Sequence, residues 1–322
     1  MDLHIVRLLA DGQCHSGEAL AAQLGVSRAA VWKSLRKTSE GLGLNIQAVR
    51  GQGYRLSTPL ELLDPERILN ALGPQPPIAR LEIHDDIDST NAQLMREAAT
   101  GAPSGTLCLA ERQSAGRGRL GRTWISPFGT NLYLSLLWRF PFGLAGMGGL
   151  SLAAGAAVAE ALRAAGAQDI GLKWPNDILW HRRKLAGLLL EVAGESHGPA
   201  HVVVGVGVNT HLEPEQGAAI DRPWTDMDQA LGQGSYSRNA LAAGVAAALV
   251  SAMERFARDG LPPFLEEWER YDLYRGEQVQ VQWGSESVRG THIGLDPQGA
   301  LRLDTADGIR SFQAGEVSLR PA

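Results

Sequence analysis

Gln113-Ser-Ala-Gly-Arg-Gly-Arg-Leu-Gly-Arg-Thr-Trp124 is the stretch on which the reading of this chain turns. Gly116, Gly118 and Gly121 are interleaved with Arg117, Arg119 and Arg122. Glycine lets a backbone approach a ligand closely and adopt positive φ. Arginine offers a planar, permanently charged fork for phosphate or carboxylate oxygens. The stretch follows a strand-like run, residues 105–112, and precedes another, Asn131–Trp138. Taken alone it serves equally as a loop closing over an anion or as a solvated basic loop.

The segments around it decide between those readings. Ile170-Gly-Leu-Lys-Trp-Pro-Asn-Asp-Ile-Leu-Trp180 is an apolar strand pattern broken by Pro175-Asn176-Asp177. Lys173, Asn176 and Asp177 are therefore expected at a turn. Lys184–Val192 and His201–Asn209 read as further strands, with Gly187 inside the first and Gly205 and Gly207 inside the second. Glycine within a strand marks a bulge or a close approach by a ligand or another backbone. Positions 205 and 207 share one face, so that face is expected to be stripped of side chains for a ligand. Asn209 offers both a donor and an acceptor, as an adenine edge requires.

Upstream, residues 80–87 read as a strand ending at Asp88-Ser-Thr-Asn91, with a helix over Ala92–Ala99. Ser89, Thr90 and Asn91 either cap that helix or offer hydroxyls and free N–H groups to a ligand. Gly73-Pro-Gln-Pro-Pro77 is a breaker run after a short helix near 64–72. Residues 148–165, Asn239–Arg258 and Pro263–Tyr271 are helical and read as core. Trp224 and Trp268 are either packing residues or base-stacking rings.

The first 58 residues differ in kind. They hold seven Lys/Arg against four acids, a net +3, leaving −8 on the rest of a chain whose total is −5. A helix over 2–10 is followed by one capped by Ser16, with Ala19, Leu20, Ala22 and Leu24 inward, and by a third capped by Ser27. That is helix–turn–helix spacing. Ala30, Val31 and Leu35 are expected in the core. Ser27, Arg28, Trp32, Lys33 and Arg36 are expected to face a DNA major groove. Two short strands joined at Gly51-Gln-Gly53 make a wing, with Arg50 and Arg55 beside phosphates. The competing reading is a helical protein adaptor with a solvated basic face. At the other end, Gln278–Trp283, Ser287–Leu295, Leu301–Asp304, Ile309–Gln313 and Val317–Arg320 predict a small antiparallel β-barrel.

Composition fits this plan. Of 322 residues, 44% are hydrophobic and 20% charged, as in an ordinary globular protein. No apolar run is expected to span a bilayer, and Met-Asp-Leu-His lacks the start of a signal peptide. Cys14 and Cys108 suggest neither a disulfide framework nor a metal site, so a cytoplasmic location is expected. The fold class expected is α+β: a winged helix–turn–helix over 1–58, a mixed-sheet α/β domain over 64–272 and an SH3-like β-barrel over 273–322.

The assembled cations, glycines and amides suit the joining of two anions, such as a carboxylate attacking the α-phosphate of ATP. Gly116–Trp124, Lys173-Trp-Pro-Asn-Asp177, Lys184-Leu-Ala-Gly187 and Gly205-Val-Gly-Val-Asn209 together resemble the motif set of biotin protein ligases. With the N-terminal domain, the chain resembles the bifunctional type, ligase and biotin operon repressor, over essentially its whole length. The resemblance implies formation of biotinyl-5′-adenylate from biotin and ATP with Mg2+. It implies transfer of biotin to one lysine of a biotin carboxyl carrier protein. It also implies homodimerisation of the adenylate-bound form on operator DNA.

Arg119, Lys184 and Asp177 would then be catalytic. Ser89, Thr90, Asn91, Gln113, Gly116, the Arg117 backbone, Gly118, Arg119, Lys184 and Gly187 would bind biotin. Arg119, Arg122, Trp124, Asn176, Lys184, Asn209, Trp224 and Arg320 would bind ATP or adenylate. Leu120 stands where many bacterial members carry arginine, and Ile125 where the bifunctional type can carry an aromatic. Both bear on how adenylate binding couples to dimerisation. A lipoate-type ligase, a ligand-sensing regulator without transferase activity, and a ligase whose DNA module no longer represses are the alternatives.

Overall fold

The computed structural model describes residues 3–74, 77–314 and 318–321. Met1 and Asp2 of the expected first helix and chain start, Gln75 and Pro76 of the breaker run, and Val317 of the last expected strand lie outside them.

Three helices, α1 (Leu3–Leu9), α2 (Gly17–Leu24) and α3 (Arg28–Leu42), and an antiparallel wing, β1 (Ile46–Val49) and β2 (Gly53–Leu56), open the chain. Ser16 and Ser27 accept hydrogen bonds from the amides of Ala19 and Ala30, and Gly25 and Gly43 end α2 and α3 in the left-handed region. Sequence reading of the caps therefore located these helices closely. The inward set needs correction: Ala19, Ala22 and Ala30 are exposed. Leu20, Val31 and Leu35 carry the core with Ile5, Val6 and Leu9. The larger aliphatics win the buried positions because each removes more apolar area from water.

A seven-stranded mixed sheet follows. After α4 (Pro65–Leu72) come β3 (Arg80–His84), α5 (Thr90–Ala99), β4 (Thr106–Ala110), β5 (Leu132–Phe140) and α6 (Leu150–Ala164). Then come β6 (Ile170–Lys173), β7 (Asp177–Trp180), β8 (Arg183–Gly194) and β9 (Ala200–Val208). The strand order is β3-β4-β5-β9-β8-β7-β6, with β3 and β4 parallel and the other pairs antiparallel. Helices α7 (Pro214–Gly217), α8 (Met227–Leu231), α9 (Arg238–Asp259) and α10 (Pro262–Arg270) complete this part. By length and composition α9 could cross a bilayer, contrary to the expectation that no such segment exists. In this fold it is a core helix, with Leu241, Val245, Leu249, Met253 and Phe256 buried.

Strands β10 (Gln278–Trp283), β11 (Glu286–Leu295), β12 (Leu301–Thr305), β13 (Gly308–Phe312) and β14 (Ser318–Pro321) form an antiparallel sheet in the order β13-β12-β11-β10-β14. Its strands fall where the sequence places them, Val317 aside, and among the described residues they pair as an antiparallel sheet without the β13–β14 pairing that would close a barrel. The three parts are tied together. Phe128, just before β5, is buried in the core of the N-terminal domain. Arg7 of α1 pairs with Asp85 at 2.6 Å, and Arg112 donates to the Gly41 carbonyl at 3.1 Å.

Candidate active site

The glycine–arginine loop forms a small closed hairpin. Arg117 bridges Thr123, and the Gly118 amide donates to the Arg122 carbonyl at 2.7 Å. Leu120 sits at its tip with φ 58° and is exposed. Gly116 is required by crowding, since a Cβ there would lie 2.5 Å from Ser126 Oγ and 2.6 Å from the Trp124 carbonyl.

Beneath the loop the strand glycines have a purpose the sequence reading missed. The face at Gly205 and Gly207 is not bare. A Cβ on Gly205 would lie 2.1 Å from Asn91 Oδ1, and one on Gly207 would lie 2.4 Å from Cε2 of Trp124. The glycines make room for two protein side chains, and they also line the smaller of two adjoining cavities. Gly187 likewise borders Lys184 and the Trp124 ring. The Trp124 indole N–H is buried and has no hydrogen-bond partner among the described residues.

Two cavities meet here. The smaller, about 50 Å³, is lined by Ser89, Thr90, Asn91, Gln113, Arg117 and Gly187 among others. Ser89 caps α5, so Thr90 and Asn91 lie in its first turn and the expected helix starts two residues early. Thr90 donates its amide to Gln113 Oε1 at 3.0 Å, and Gln113 Nε2 donates to Ser126 Oγ at 3.1 Å. The larger cavity, about 390 Å³, is lined by Arg122, Lys173, Asp177, Asn209, Arg222 and Trp224 among others. Gly118, Arg119, Trp124, Asn176 and Lys184 line both. Gly116, near the start of the loop, lines neither cavity.

The hairpin of β6 and β7 presents Lys173 opposite Asp177, with Asn176 in its turn, as the sequence implied. Lys184 Nζ donates to Asp177 Oδ1 at 2.5 Å and lies 5.3 Å from the centre of the Trp124 ring. Arg119 donates to Asn176 Oδ1 at 3.1 Å and to the Ala314 carbonyl of the last domain. Burial raises the Asp177 carboxyl, but Lys184 and Lys173 outweigh it and hold the group below the ordinary aspartate range. Burial pulls Lys173 below an ordinary lysine, with Asp177 partly opposing it. Burial also lowers Arg119 and Arg122.

The Asn209 amide gives both hydrogens to backbone, at Lys184 and Thr225, so its acceptor oxygen is what it can offer a ligand. Trp224 packs against Gly217, on a segment that pairs with Lys184 through Pro223 and Thr225. Arg320 is exposed and does not line either cavity; its neighbour Leu319 lines the larger one. Sequence reading missed Arg222, whose only signal was its place beside Pro223-Trp224.

On the N-terminal domain, Ser27, Arg28, Trp32, Lys33, Arg36 and Arg50 are all exposed. Ser27 spends its hydroxyl oxygen on the α3 cap, while Arg36 lies over the Trp32 ring at 5.9 Å and pairs with Glu40. Away from the cavities, one grouping runs against the sequence spacing: Glu82, His84 and Cys108 bring ligand-type atoms within 4.8 Å of one another. Arg80 pairs with Glu82, and burial pushes the Cys108 thiol well up, so the group reads as the covered edge of the sheet.

The chain is thus of the class that joins a cation-lined pair of cavities on a mixed sheet to an N-terminal helix–turn–helix module. Family models agree in order along the chain. An HTH domain matches residues 2–55, the Biotin/lipoate A/B protein ligase family residues 85–209, and the biotin protein ligase C-terminal domain residues 275–320. The bifunctional ligase/repressor BirA of Escherichia coli K12 is 40% identical over 320 residues, covering 99% of this chain and 97% of that protein. Its Bacillus subtilis namesake is 32% identical over 94% of this chain and 93% of its own length. The biotin protein ligase of Aquifex aeolicus, solved with biotin and ATP, superposes with a TM-score of 0.65 at 30% identity, covering 76% of this chain and all of that one. The chain belongs to the family of bifunctional biotin ligase/repressors. It is a biotin–[acetyl-CoA-carboxylase] ligase with a helix–turn–helix DNA-binding domain.

Proposed function

We propose that the smaller cavity holds biotin, the larger holds ATP, and the reaction occurs where they meet. The observation that carries this is the shared lining: Arg119 and Lys184 stand at the only junction between the two cavities among the described residues. There the biotin carboxylate attacks the α-phosphate, forming biotinyl-5′-adenylate and releasing pyrophosphate. Two anions are brought together, so fixed cations already oriented at the junction lower the barrier. Lys173, Arg122 and Arg222 extend that field over the phosphates.

The biotin ureido group is assigned to Ser89, Thr90, Gln113 and the backbone at Arg117, with Asn91, Gly118 and Gly187 lining the pocket and Gly116 allowing the close approach of Ser126 and Trp124 behind it. Asn209 and Trp224 are assigned to adenine, Asn176 to Arg119's orientation, and Arg320 to the outer edge. A cavity of about 50 Å³ is well below the roughly 300 Å³ at which ligand pockets begin. Entry is therefore assigned to an opening of this cavity in which Trp124 leaves Gly207, and its return would exclude water from the mixed anhydride.

In the second half-reaction, a lysine amine of a biotin carboxyl carrier protein attacks the acyl carbonyl and AMP departs. Asp177 is placed to take the amine proton once Lys184 has turned to the phosphate. Magnesium is a poor fit to the protein donors. Asp177 and Asp221 are the acids lining the larger cavity, and Asp177 is engaged by Lys184. Magnesium accompanying ATP would supply charge shielding of the phosphates, alongside Lys173, Arg122 and Arg222, without being held by protein carboxylates.

The exposed basic face of α3 and the wing residue Arg50 support operator binding. Repression by an adenylate-bound homodimer completes the reading, in a cytoplasmic protein with no membrane role. The test is incubation with MgATP, labelled biotin and a carrier domain, followed by mass spectrometry of the carrier. One biotin-sized addition on one lysine is expected; absence of any addition, with biotin bound, would turn the reading to a sensor.

A further inference from the structure

Glu191 belongs to none of the sequence motifs, yet two walls of the smaller cavity meet on it. Its Oε2 accepts from Arg117 Nη2 at 2.8 Å and from Asn91 Nδ2 at 2.9 Å. Arg117 belongs to the loop side of the cavity. Asn91 belongs to the fixed side, the first turn of α5, and is buried on Gly205. From Asn91 the connections continue. Its Oδ1 accepts from Ser135 Oγ at 2.6 Å, and Ser135 Oγ lies 2.7 Å from Thr90 Oγ1. Thr90 reaches Gln113, Gln113 reaches Ser126, and Ser126 donates to the Trp124 carbonyl at 2.9 Å. The beginning, middle and end of the loop are thus fastened to one polar circuit around the cavity. Glu191 joins the Arg117 charge on the loop to that circuit.

We propose that Glu191 is a positioning residue that latches the loop over bound biotin and sets how long biotin and its adenylate are retained. It touches neither reacting atom. The inference rests on assigning the smaller cavity to biotin. The Arg117–Glu191 pair is partly exposed, a setting in which ion pairs add little to global stability. Its consequence therefore falls on loop closure. Loop closure governs escape of ligand more than the chemical step.

The experiment compares the full-length wild type with Glu191→Ala and Glu191→Gln. It measures biotin affinity, adenylate dissociation, KM for ATP, kcat at saturating biotin, and melting temperature. Glu191→Ala is expected to weaken biotin binding and speed adenylate loss about tenfold, the scale of one charge-assisted hydrogen bond. KM for ATP and kcat stay within about twofold by the same scale. Glu191→Gln keeps an acceptor for Asn91 and falls between. Combined with Arg117→Gln, its effect is less than additive, because both remove the same contact. Wild-type biotin binding with unchanged retention in Glu191→Ala, or additivity in the double variant, overturns the latch alone. Failure of the wild type to bind biotin overturns the pocket assignment and the latch with it.

Discussion

Lys184 reaches Asp177 across the β7–β8 pair, Nζ to Oδ1 at 2.5 Å, while the same ammonium faces the Trp124 ring at 5.3 Å. One lysine therefore touches the residue assigned to amine deprotonation and the ring that covers the glycine floor. Lys184→Gln is expected to slow pyrophosphate release at least about a hundredfold, the scale of losing a preorganised charge at the reacting oxygens. Asp177→Asn should spare pyrophosphate release more than transfer. Assaying the two half-reactions separately decides this, and equal losses in both variants would contradict the division of labour.

Lys173 gives the site an alkaline limit. Burial sets its folded pKa below the ordinary lysine value of 10.5, so it loses its proton earlier than an exposed lysine as pH rises. The adenylation rate is expected to decline on the alkaline side before pH 10.5 is reached. Lys173→Arg, which stays charged, should push the decline upward. Asp177 contributes no limb near neutrality: its folded pKa lies below 3.8, so its ionised form is lost only in more acidic solution. A pH–rate profile identical in wild type and Lys173→Arg would remove Lys173 from the phosphate field.

Glu111 and Arg238 form a fully buried pair at 2.5 Å. Glu111 also accepts from the Leu63 amide, and Arg238 donates to the Asn131 carbonyl. Removing one partner leaves an uncompensated charge, which costs about 3–5 kcal/mol. Denaturant unfolding of Glu111→Ala should show that loss. A change under about 1 kcal/mol would mean water reaches the pair.

Gly207→Ala places a methyl group 2.4 Å from the Trp124 ring carbon. Strand geometry tolerates alanine, so the melting temperature should move little. The ring cannot take its seat, so biotin affinity should fall at least about tenfold, a modest packing penalty. Calorimetric titration of biotin against this variant checks it, and wild-type affinity would show the ring seat to be dispensable.

Lys33 is exposed on α3 and lies beside Trp32, which is 54% exposed. If it meets a phosphate, Lys33→Ala lowers the magnitude of the salt slope of operator binding by about one. Binding isotherms at several salt concentrations measure that slope; an unchanged slope would move Lys33 off the DNA.

Much of this was legible in the sequence because local chemistry announced it. Ser16, Ser27 and Ser89 mark helix starts by a mechanism that needs no tertiary information. The breaks at Pro175-Asn176 and Arg182-Arg183 likewise delivered the hairpins. Lys184, Asp177, Arg119 and Asn176 were singled out as residues of one site, and the structure brings them together in the pairs Lys184–Asp177 and Arg119–Asn176. What remained hidden depends on distant pairing. Gly205 and Gly207 signalled a close approach but not by what, since Asn91 and Trp124 are far away in the chain. Glu191 looks like an ordinary strand acid until Arg117 and Asn91 converge on it. Ala19, Ala22 and Ala30 illustrate the opposite limit: alanine fits either side of a helix, so periodicity cannot place it.

Phe128 makes the N-terminal domain less separable than its independent helices suggest. Its ring is buried and belongs to the same core as Ile5, Leu20, Val31 and Leu35, although it is carried by the segment entering β5. Cutting the chain after the wing would uncover this ring on one fragment and leave a hole in the other. A shortened enzyme would then show changed ligand affinity or clumping for reasons unrelated to DNA. Comparisons between full-length and truncated forms need a control in which the seat alone is altered, Phe128→Ala in the intact chain, before any difference is credited to modular regulation.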